Sequence, residues 1–444
     1  MDIDTRQLRL YIAPLLSMTV FFSVLNGVMF NLAVPDIARE YEASPALVSW
    51  VVTAYVIIFA FGSVVYSRLA ESFHLRDLIT AGLFLFCAGS LLGYFTESFL
   101  LLVAARTIQA SGAAGIPALS MILATVYVPP HLRGRLLGMI ASTVALGLGV
   151  GPIAGGFIAG YLHWNYLFLT PLILFPVIFL LRKVLPGQHE LTRKPFDYAG
   201  AILLAATVCC LLIMVNMRVG WLILPFLLFG AVFVWRSSST PEPFINPELL
   251  TNRRYLAGLL TAFLVMGTIF CTFFLMPLMF RHIYHLPTMH IGLYLFPGAM
   301  SAAMAGLAAG RVVDRCGSPP VVKAGFLILL AGFGLIILAA GRSPLMSSIC
   351  LIVANSGFTI IHSSLAGAVS NTLGRDRVGL GMGVFNLVFF VSGALGVASA
   401  GMLLEVLGPD RAGSYSLIFA GCFVLASSAL VMFRSSFRDG CAVS

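Results

Sequence analysis

The sequence predicts an all-α membrane protein that crosses the bilayer fourteen times, with two six-helix bundles and two further helices inserted between them. Three observations lead to this fold class. The composition is strongly apolar, the apolar residues form runs long enough to span a bilayer, and one short loop motif occurs at equivalent places in the two halves of the chain.

The composition by itself places the chain in a lipid bilayer. Hydrophobic residues make up 59% of the sequence and charged residues 10%, with a mean hydropathy of +1.00. Soluble domains carry about 25% charged residues, and a chain with so few has little polar surface to cover a core. The net charge of +9 does not indicate a nucleic-acid partner, because the basic residues stand singly between apolar runs.

The eight cysteines predict neither a disulfide framework nor a metal site, since no pair has the CxxC spacing of metal ligands. The vicinal Cys209 and Cys210 are interpreted as two small apolar side chains, and no cofactor is predicted. The first apolar run is long, and no small-residue cleavage site follows it. It is therefore expected to be a retained helix rather than a signal peptide.

A spanning helix needs about 20 mostly apolar residues, and fourteen runs approach or exceed this length. The seventh and eighth runs are the weakest. The eighth, from Trp221 to Trp235, is short for a full crossing, which leaves a tilted or re-entrant helix as an alternative. The predicted spans run near 10–34, 46–66, 78–95, 99–127, 135–161, 165–182, 198–215, 220–235, 255–280, 290–310, 320–340, 344–371, 380–404 and 413–433.

The distribution of Lys and Arg predicts the orientation. With both termini in the cytoplasm, most basic residues fall on the cytoplasmic side, as is typical of membrane proteins. The expected location is the plasma membrane, and all four tryptophans fall at span ends, where interfacial anchors are found. The basic residues left on the outer side are Arg39, Arg218, Arg281, Arg342 and Arg411.

An internal repeat divides the chain. Residues 67–74, after the second span, read SRLAESFH, and residues 310–317, after the tenth, read GRVVDRCG. We call 67–77 the first repeat loop and 310–318 the second repeat loop; such duplicated halves are common in membrane transport proteins. The predicted domains are an N-terminal six-helix bundle at 1–185, an inserted helix pair at 186–236, a cytoplasmic linker at 237–254 and a C-terminal six-helix bundle at 255–444.

The fifth predicted span carries a row of small residues. Glycines spaced by four lie on one helix face and let a second backbone approach closely, and a proline among them removes one helical hydrogen bond. We interpret this row as a flexible seam between two rigid bundles, the alternative being an ordinary packing face. Its members are Gly147, Gly151, Pro152, Gly155 and Gly156.

The fourth predicted span contains Arg106, with Gln109 about one turn further along the same face. An arginine at the bilayer centre costs about 2.5–3.5 kcal/mol on insertion scales, so it must face the interior of the bundle and a partner. We predict that Arg106 contacts substrate or takes part in a relay. The alternative is a structural arginine bonded to backbone carbonyls.

Further polar residues at membrane depth predict the rest of a central cavity around Arg106. The first span contributes Asn26 and Asn31. The twelfth contributes Asn355, Thr359 and His362.

No Asp or Glu lies at the centre of a predicted span. The candidates for a proton acceptor are therefore Asp36, at the end of the first span, and His362, since an unperturbed histidine has a pKa of about 6.5. The alternative role for His362 is a hydrogen-bonded packing group.

Both repeat loops combine an acidic residue with basic neighbours. As bare ion pairs at a wet surface they would be worth under about 1 kcal/mol each. We predict instead that they act as latches between half-bundles, which break and re-form during a conformational cycle; the alternative is a solvated charged loop. The gating residues are Glu71, Arg76, Arg135, Arg311, Asp314 and Arg315.

These residues resemble those of the fourteen-span drug/proton antiporters of the major facilitator superfamily, and most of all the Gram-positive tetracycline efflux proteins of classes K and L. The similarity covers nearly the whole chain. Arg106 matches the family's intramembrane arginine, Gly151-Pro152 its antiporter motif and the repeat loops its paired gating motif. The matching segments include Phe21-Phe-Ser-Val-Leu-Asn26, Pro35-Asp-Ile-Ala38, 106–114, 117–119, 149–152, His163-Trp164, Phe296-Pro-Gly298 and Val313-Asp-Arg315.

The departures from the family concern its acidic residues. The tetracycline pumps have a glutamate where this chain has Gly27 and another where it has Leu148, and many relatives have an aspartate in place of Asn26. The resemblance thus implies the fold and the export direction, without the tetracycline–metal specificity or the usual proton-coupling acids. The first repeat loop also departs, with Ser67, Glu71 and His74 in place of Gly, Asp and Gly.

The resemblance implies efflux of a drug or natural product by alternating access, coupled to proton influx. Because the predicted cavity offers one arginine and neutral amides, we expect a neutral, zwitterionic or anionic substrate. The alternatives are an uncoupled facilitator or importer of a small solute and, from another class, a transport-dead accessory or sensor protein. An enzyme is not predicted, since no span carries a His/Asp or Ser/His set for acid–base or nucleophilic chemistry.

Overall fold

A computed structural model describes residues 11–43, 45–48, 50–185, 196–216, 219–374 and 377–437. Over these ranges the regular structure is helical, without a strand. Thirteen helices among the described residues are long and apolar enough to cross a membrane, and Ala13–Met29, with 17 residues, is a shorter apolar helix before them. The predicted all-α polytopic membrane protein is therefore confirmed.

Short connections join the helices of the first part of the chain. Two 3₁₀ segments, Phe30–Leu32 and Trp164–Leu174, extend helical structure beyond the α-helices. The α-helices are α1 Ala13–Met29, α2 Val34–Glu40, α3 Pro45–Val48, α4 Trp50–Leu69, α5 Leu75–Tyr94, α6 Phe99–Ala113, α7 Gly115–Val126, α8 Pro130–Tyr161 and α9 Phe175–Val184.

The remaining helices include α10 and α11, which correspond to the predicted inserted pair, and a 3₁₀ turn at Gly220–Leu222 precedes α11. These helices are α10 Tyr198–Asn216, α11 Ile223–Ser239, α12 Pro247–Thr251, α13 Arg253–His282, α14 Thr288–Cys316, α15 Ser318–Ala339, α16 Pro344–Ser370, α17 Val378–Leu407 and α18 Ala412–Ser436.

Prolines and a glycine explain several helix boundaries. The first predicted span ends early, because α1 stops at Met29 and α2 begins with Pro35 in its first turn, a position that proline favours. α6 and α7 meet at Ala114, where Pro117 lacks the N–H that would bond to the preceding turn. Gly317, with φ of 78°, separates α14 from α15, because this left-handed conformation favours glycine.

The weakest predicted span is a full-length helix. With its 3₁₀ turn, α11 covers Gly220–Ser239, and these 20 residues are long and apolar enough for a complete crossing. The helix continues past Trp235 to Ser239, whose hydroxyl donates to the Trp235 carbonyl at 2.8 Å. Only 6% of the residues in its most apolar stretch are buried by protein, so nearly all its side chains are exposed or partly exposed.

Contacts in space divide the chain into two compact units. The division falls inside two helices. Residues of α8 up to 149 belong to the second unit and those from 150 to the first, while α17 passes from the first unit to the second after 391. The predicted domain boundaries at 185, 236 and 254 remain a prediction. The first unit is Met1–Tyr127, Val150–Leu249 and Arg375–Val391, and the second is Val128–Gly149, Leu250–Gly374 and Ser392–Ser444.

Close approaches between backbones hold each unit together. In the first unit, a Cβ atom on Gly112 would lie 2.3 Å from the carbonyl oxygen of Gly82. In the second unit, a Cβ atom on Gly332 would lie 2.5 Å from the backbone nitrogen of Ala354. Helices in membranes associate through such small-residue contacts, because lipid gives no hydrophobic driving force between them.

Asp197 connects α10, α11 and the predicted linker through hydrogen bonds within the first unit. Its carboxylate is 2% exposed and accepts hydrogen bonds from Arg236 Nε (2.9 Å) and Nη2 (2.7 Å) and from the backbone N–H groups of Gly200 (3.0 Å) and Phe244 (3.2 Å). Burial raises the pKa of this carboxyl, but the hydrogen bonds and the charge of Arg236 outweigh burial and hold the pKa below its ordinary value. The Phe244 ring stacks on Phe61, so this part of the polar linker is fixed in place.

Candidate functional site

Arg106 lies at the centre of a polar cluster in the first unit, and its side chain is fully buried. Its Nη1 donates to the side-chain oxygens of Asn26 on α1 (2.7 Å) and of Gln109 (2.5 Å), which lies one turn further along α6. Its Nε donates to the carbonyl oxygen of Val51 at the start of α4, at 3.2 Å. Residues from three helices therefore meet at one guanidinium group.

Two aromatic rings cover this guanidinium. The Cζ atom of Arg106 lies 4.0 Å from the ring centre of Phe30 and 4.1 Å from that of Tyr55. Desolvated cation–π contacts are worth about 2 kcal/mol. The hydroxyl of Tyr55 donates to the carbonyl of Ser23 at 3.0 Å, which fixes the ring. A Cβ atom on Gly27 would lie 3.2 Å from Tyr55, so a side chain at this position would press on the ring.

The cluster is neutral apart from Arg106. Gln109 Nε2 donates to Ser90 Oγ at 2.7 Å, and that hydroxyl donates to the carbonyl of Phe86 at 2.7 Å. Within the described ranges no carboxylate contacts Arg106. Two buried donors, Arg106 Nη2 and Asn26 Nδ2, have no acceptor there either. Asn26 is a neutral amide, so Arg106 has no ionic partner among the described residues.

A second polar group lies on α16 in the second unit. Asn355, Thr359 and His362 follow one another at helical spacing and are all buried. A Cβ atom on Gly298 would lie 2.9 Å from Asn355 Nδ2, and one on Gly306 would lie 2.8 Å from the Thr359 methyl group. The imidazole stacks parallel to an aromatic ring one turn earlier on α16. The polar face predicted for the twelfth span is therefore packed against α14.

Asn31 and Asp36 lie apart from the Arg106 cluster. Asn31 is exposed in the 3₁₀ turn after α1, and Asp36, in the first turn of α2, is 43% exposed and lies 3.9 Å from Arg39. The structure brings Asn26 to Arg106 but does not bring Asn31 there. That one cavity is lined from both units, and that Asp36 or His362 accepts protons, remain predictions.

The small-residue row of α8 contacts α1 in the first unit. A Cβ atom on Gly155 would lie 2.2 Å from the carbonyl oxygen of Met29, and one on Gly151 would lie 2.3 Å from Cγ2 of Val28. The two helices therefore approach backbone to backbone. The other members of the row are Gly147, which is buried, and Pro152 and Gly156, which are half-buried.

A second glycine contact of α8, in the second unit, was missed by the sequence interpretation. A Cβ atom on Gly138 would lie 2.5 Å from the carbonyl oxygen of Gly306, and one on Gly310 would lie 2.5 Å from that of Gly134. The signal was present in the sequence. Gly134 and Gly138 on α8, like Gly306 and Gly310 on α14, have the G-x-x-x-G spacing that lets helices pack closely.

The first repeat loop forms a chain of charges with the linker. The carboxylate of Glu71 lies 2.6 Å from Arg68 Nη1, and Arg68 Nη2 lies 3.6 Å from Glu242. Arg76 pairs with the neighbouring Asp77, at 3.6 Å. Two of the predicted gating residues, Glu71 and Arg76, are thus ion-paired, and the first pair is shielded from solvent.

The second repeat loop contacts the start of α8 within the second unit. Asp314 accepts hydrogen bonds from the backbone N–H groups of Gly134 (2.8 Å) and Arg135 (3.0 Å). Hydrogen bonds to an ionised acceptor are stronger than neutral ones, so Asp314 holds α14 to the first part of α8. The side chains of Arg135, Arg311 and Arg315 are exposed.

Ser67 in the first repeat loop contacts a glycine of α17 in the first unit. A Cβ atom on Gly383 would lie 2.3 Å from Ser67 Oγ, which donates to the carbonyl of Ser63. At the equivalent place of the second unit Gly310 meets Gly134. A close helix contact therefore follows the repeat position in both units. Both helices supply a glycine in the second unit, whereas only the partner helix α17 does in the first.

Known proteins of similar sequence are transporters by name. The riboflavin transporter RibZ of Clostridioides difficile (strain 630) is 24% identical over 389 residues, which cover 85% of this chain and 84% of the relative. A multidrug resistance protein B homolog of Mycobacterium tuberculosis (strain ATCC 25618 / H37Rv) is 26% identical over 381 residues, 82% of this chain and 70% of the relative. The uncharacterized transporter YebQ of Escherichia coli (strain K12) is 23% identical over 423 residues, 93% and 92%.

Solved structures share the architecture at low sequence identity. The human organic anion transporter MFSD10 (TETRAN) superposes with a TM-score of 0.69 at 16% identity, covering 95% of this chain and 99% of that one. The proton:xylose symporter XylE, of the major facilitator superfamily, gives a TM-score of 0.67 at 15% identity, covering 95% and 94%. These likenesses confirm the predicted major facilitator fold. Residues 16–397 match the sequence family described as Major Facilitator Superfamily, and the chain belongs to that family of multi-pass membrane transporters.

Proposed function

We propose that this transporter exports a drug or natural product by alternating access, in exchange for protons. The observation that carries the proposal is the division of α8 and α17 between the two compact units. Each of these helices has a close glycine contact in both units, at Gly138 and Gly155 on α8 and at Gly383 and Gly396 on α17. In each of these contacts the glycine contributes no side chain, so the two helices can tilt against one another with little repacking, as rocking of one bundle against the other would require.

The export direction rests on the resemblance to the fourteen-span drug/proton antiporters and the tetracycline efflux proteins of classes K and L. The segment Gly151-Pro152 corresponds to their antiporter motif. The name of the M. tuberculosis relative supports a drug as cargo, and that of the C. difficile relative makes riboflavin a reasonable compound to test.

The charge of the binding residues supports the proposed substrate class. Arg106, Asn26 and Gln109 offer a cation and neutral amides, without a carboxylate among the described residues in contact with them. A cationic drug in such a site would be an unpaired charge at membrane depth. We therefore propose a neutral, zwitterionic or anionic substrate, and selective efflux of ethidium would contradict this.

The proposed proton acceptors are Asp36 and His362. The first is partly exposed beside Arg39, whereas the second is buried in the second unit. Replacement of the coupling residue, as Asp36→Asn or His362→Gln, should leave substrate binding intact while proton movement stops. The variant that shows this separation identifies the acceptor.

We place the protein in the plasma membrane with both termini in the cytoplasm, because this orientation follows the distribution of Lys and Arg. The termini themselves, 1–10 and 438–444, lie outside the described residues. In the same orientation both repeat loops are cytoplasmic. There the contact of Glu71 with Arg68 and that of Asp314 with the start of α8 would break and re-form as latches.

Everted vesicles with an imposed pH gradient, acidic inside, test the proposal. A panel of antibiotics and riboflavin is added, and both the uptake of each compound and the internal pH are followed. The expected result is uptake that collapses with an uncoupler, together with loss of the gradient when a substrate is added. Vesicles without the protein are the control. Flux that ignores the gradient would instead indicate an uncoupled facilitator.

A further inference from the structure

Among the described residues, Arg106 is a buried cation with no carboxylate in contact with it. Arginine stays protonated in proteins. The acceptors that it contacts, namely the Val51 carbonyl and the side-chain oxygens of Asn26 and Gln109, are all uncharged. Buried charges in proteins are normally paired or bound to an ion, because burial of a single charge is strongly unfavourable.

One edge of the buried guanidinium carries a donor that no described residue accepts from. Its plane is covered by the rings of Phe30 and Tyr55, and its Nε and Nη1 atoms are already donating. The donor that remains is Nη2, which has no acceptor among the described residues. A second donor of the same cluster, Nδ2 of Asn26, is likewise buried without an acceptor, and it belongs to the amide that touches Nη1.

We propose that Arg106 and Asn26 form a binding site for a singly charged anion with the chemistry of a halide or a carboxylate. The anion accepts hydrogen bonds from Nη2 of Arg106 and Nδ2 of Asn26 and neutralises the guanidinium. A water molecule would satisfy the donors but would leave the charge uncompensated. A cation is excluded by the positive charge, and a dianion would leave one negative charge unpaired in the membrane.

Two sources can supply this anion, a free ion from solution and the carboxylate of a transported molecule. The second source rests on the proposed function, whereas the site itself does not. Binding is measured on the purified chain in detergent, so that a failure of transport and a failure of anion binding are distinguished.

The test is Asn26→Asp, which has the same shape and places a carboxylate where Asn26 Oδ1 already lies 2.7 Å from Arg106 Nη1. Thermal unfolding of both proteins is followed at constant ionic strength while sulfate, a dianion that the site should not accept, is replaced by chloride, formate or benzoate. The wild-type Tm should rise with the concentration of at least one of these anions. In Asn26→Asp the apparent affinity should fall by about a hundredfold or more, because the new carboxylate pairs with the guanidinium and repels an entering anion at close range.

A matched control is Asn246→Asp, which makes the same change in the linker, where this side chain caps α12 and where aspartate is equally good as a cap. It should keep the full response to anions. Asn26→Ser, a second variant, removes the Nδ2 donor without adding charge and should weaken binding while retaining a response.

The outcomes separate the two sources and the failure of the proposal. A response to chloride or formate that Asn26→Asp loses supports a site for a free ion. A response to benzoate alone that Asn26→Asp loses supports a site for the carboxylate of a larger molecule. No response of the wild type to any of the three anions, or an equal response of wild type and Asn26→Asp, would overturn the proposal.

Discussion

Replacement of Asp197 by asparagine tests how the linker and the inserted helix pair are fixed. The carboxylate binds Arg236 of α11 and the backbone N–H groups of Gly200 and Phe244, and it is nearly inaccessible to solvent. Asparagine has the same size but carries no charge. Only one of its two terminal groups can accept a hydrogen bond, so its NH₂ group must face Arg236 or the Phe244 N–H.

The expected loss of stability follows from these contacts. A buried donor left without an acceptor costs about 1–3 kcal/mol. Breaking a fully buried ion pair costs about 3–5 kcal/mol, but Arg236 is 35% exposed and regains part of its hydration, so the full value does not apply. We therefore expect Asp197→Asn to lower the free energy of unfolding by about 2–4 kcal/mol.

The assay is thermal unfolding of the purified full chain in detergent between pH 7 and pH 3. Since the pKa of Asp197 is lowered in the folded state, its stabilising effect is complete above the ordinary aspartate value of about 3.9 and is lost as pH falls through the folded pKa. The difference in Tm between wild type and Asp197→Asn should be constant from about pH 7 to 5 and should shrink below about pH 4.

The matched control is Glu248→Gln. Glu248 lies 2.6 Å from Arg377, but both side chains are largely exposed, so this change should cost under about 1 kcal/mol. Equal effects of Asp197→Asn and Glu248→Gln would refute the reasoning, as would a Tm difference for Asp197→Asn that does not change down to pH 3.

Three further predictions concern α8 and the second repeat loop. Gly155→Ala places a Cβ atom against the Met29 carbonyl and should destabilise the chain by about 1–3 kcal/mol in thermal unfolding, whereas Gly160→Ala, on the same helix with no atom within 4 Å, should be neutral; equal effects would contradict this packing. Asp314→Asn should slow transport in vesicles by weakening the hydrogen bonds to Gly134 and Arg135, and the control Asp410→Asn, at an exposed position, should not. Cys316 is exposed, and in a Cys441→Ser background a membrane-impermeant maleimide should label it in everted vesicles but not in intact cells; labelling of intact cells would reverse the proposed orientation.

The sequence predicted the spans well because membrane insertion is a local property. A run of about 20 apolar residues specifies a crossing whatever its neighbours are. Where the predictions differ from the structure, the cause is also local. The first predicted span is cut short because α1 ends at Met29, ahead of Pro35. The eighth predicted span, α11, continues to Ser239 because its helix extends beyond the run of apolar residues.

The candidate site was predicted in part. A buried arginine must face inward, so Arg106 and Gln109 were recognised from hydropathy and spacing alone, and Asn26 from its depth. The two rings that cover the guanidinium, Phe30 and Tyr55, gave no such signal, since aromatic residues are common in apolar helices. Their role depends on which helix faces meet, which the order of residues along one helix does not specify.

The sequence by itself therefore determined that the protein lies in a membrane, where its helices run, that its halves are repeated and that one arginine is buried among neutral groups. Only the tertiary structure decided that Arg106 contacts Asn26, that Asp197 ties α11 to Phe244, and that α8 and α17 are each divided between two units. The physical reason is the range of the forces. Burial in lipid acts on each segment separately, whereas hydrogen bonds and close packing act between residues that are far apart in the chain.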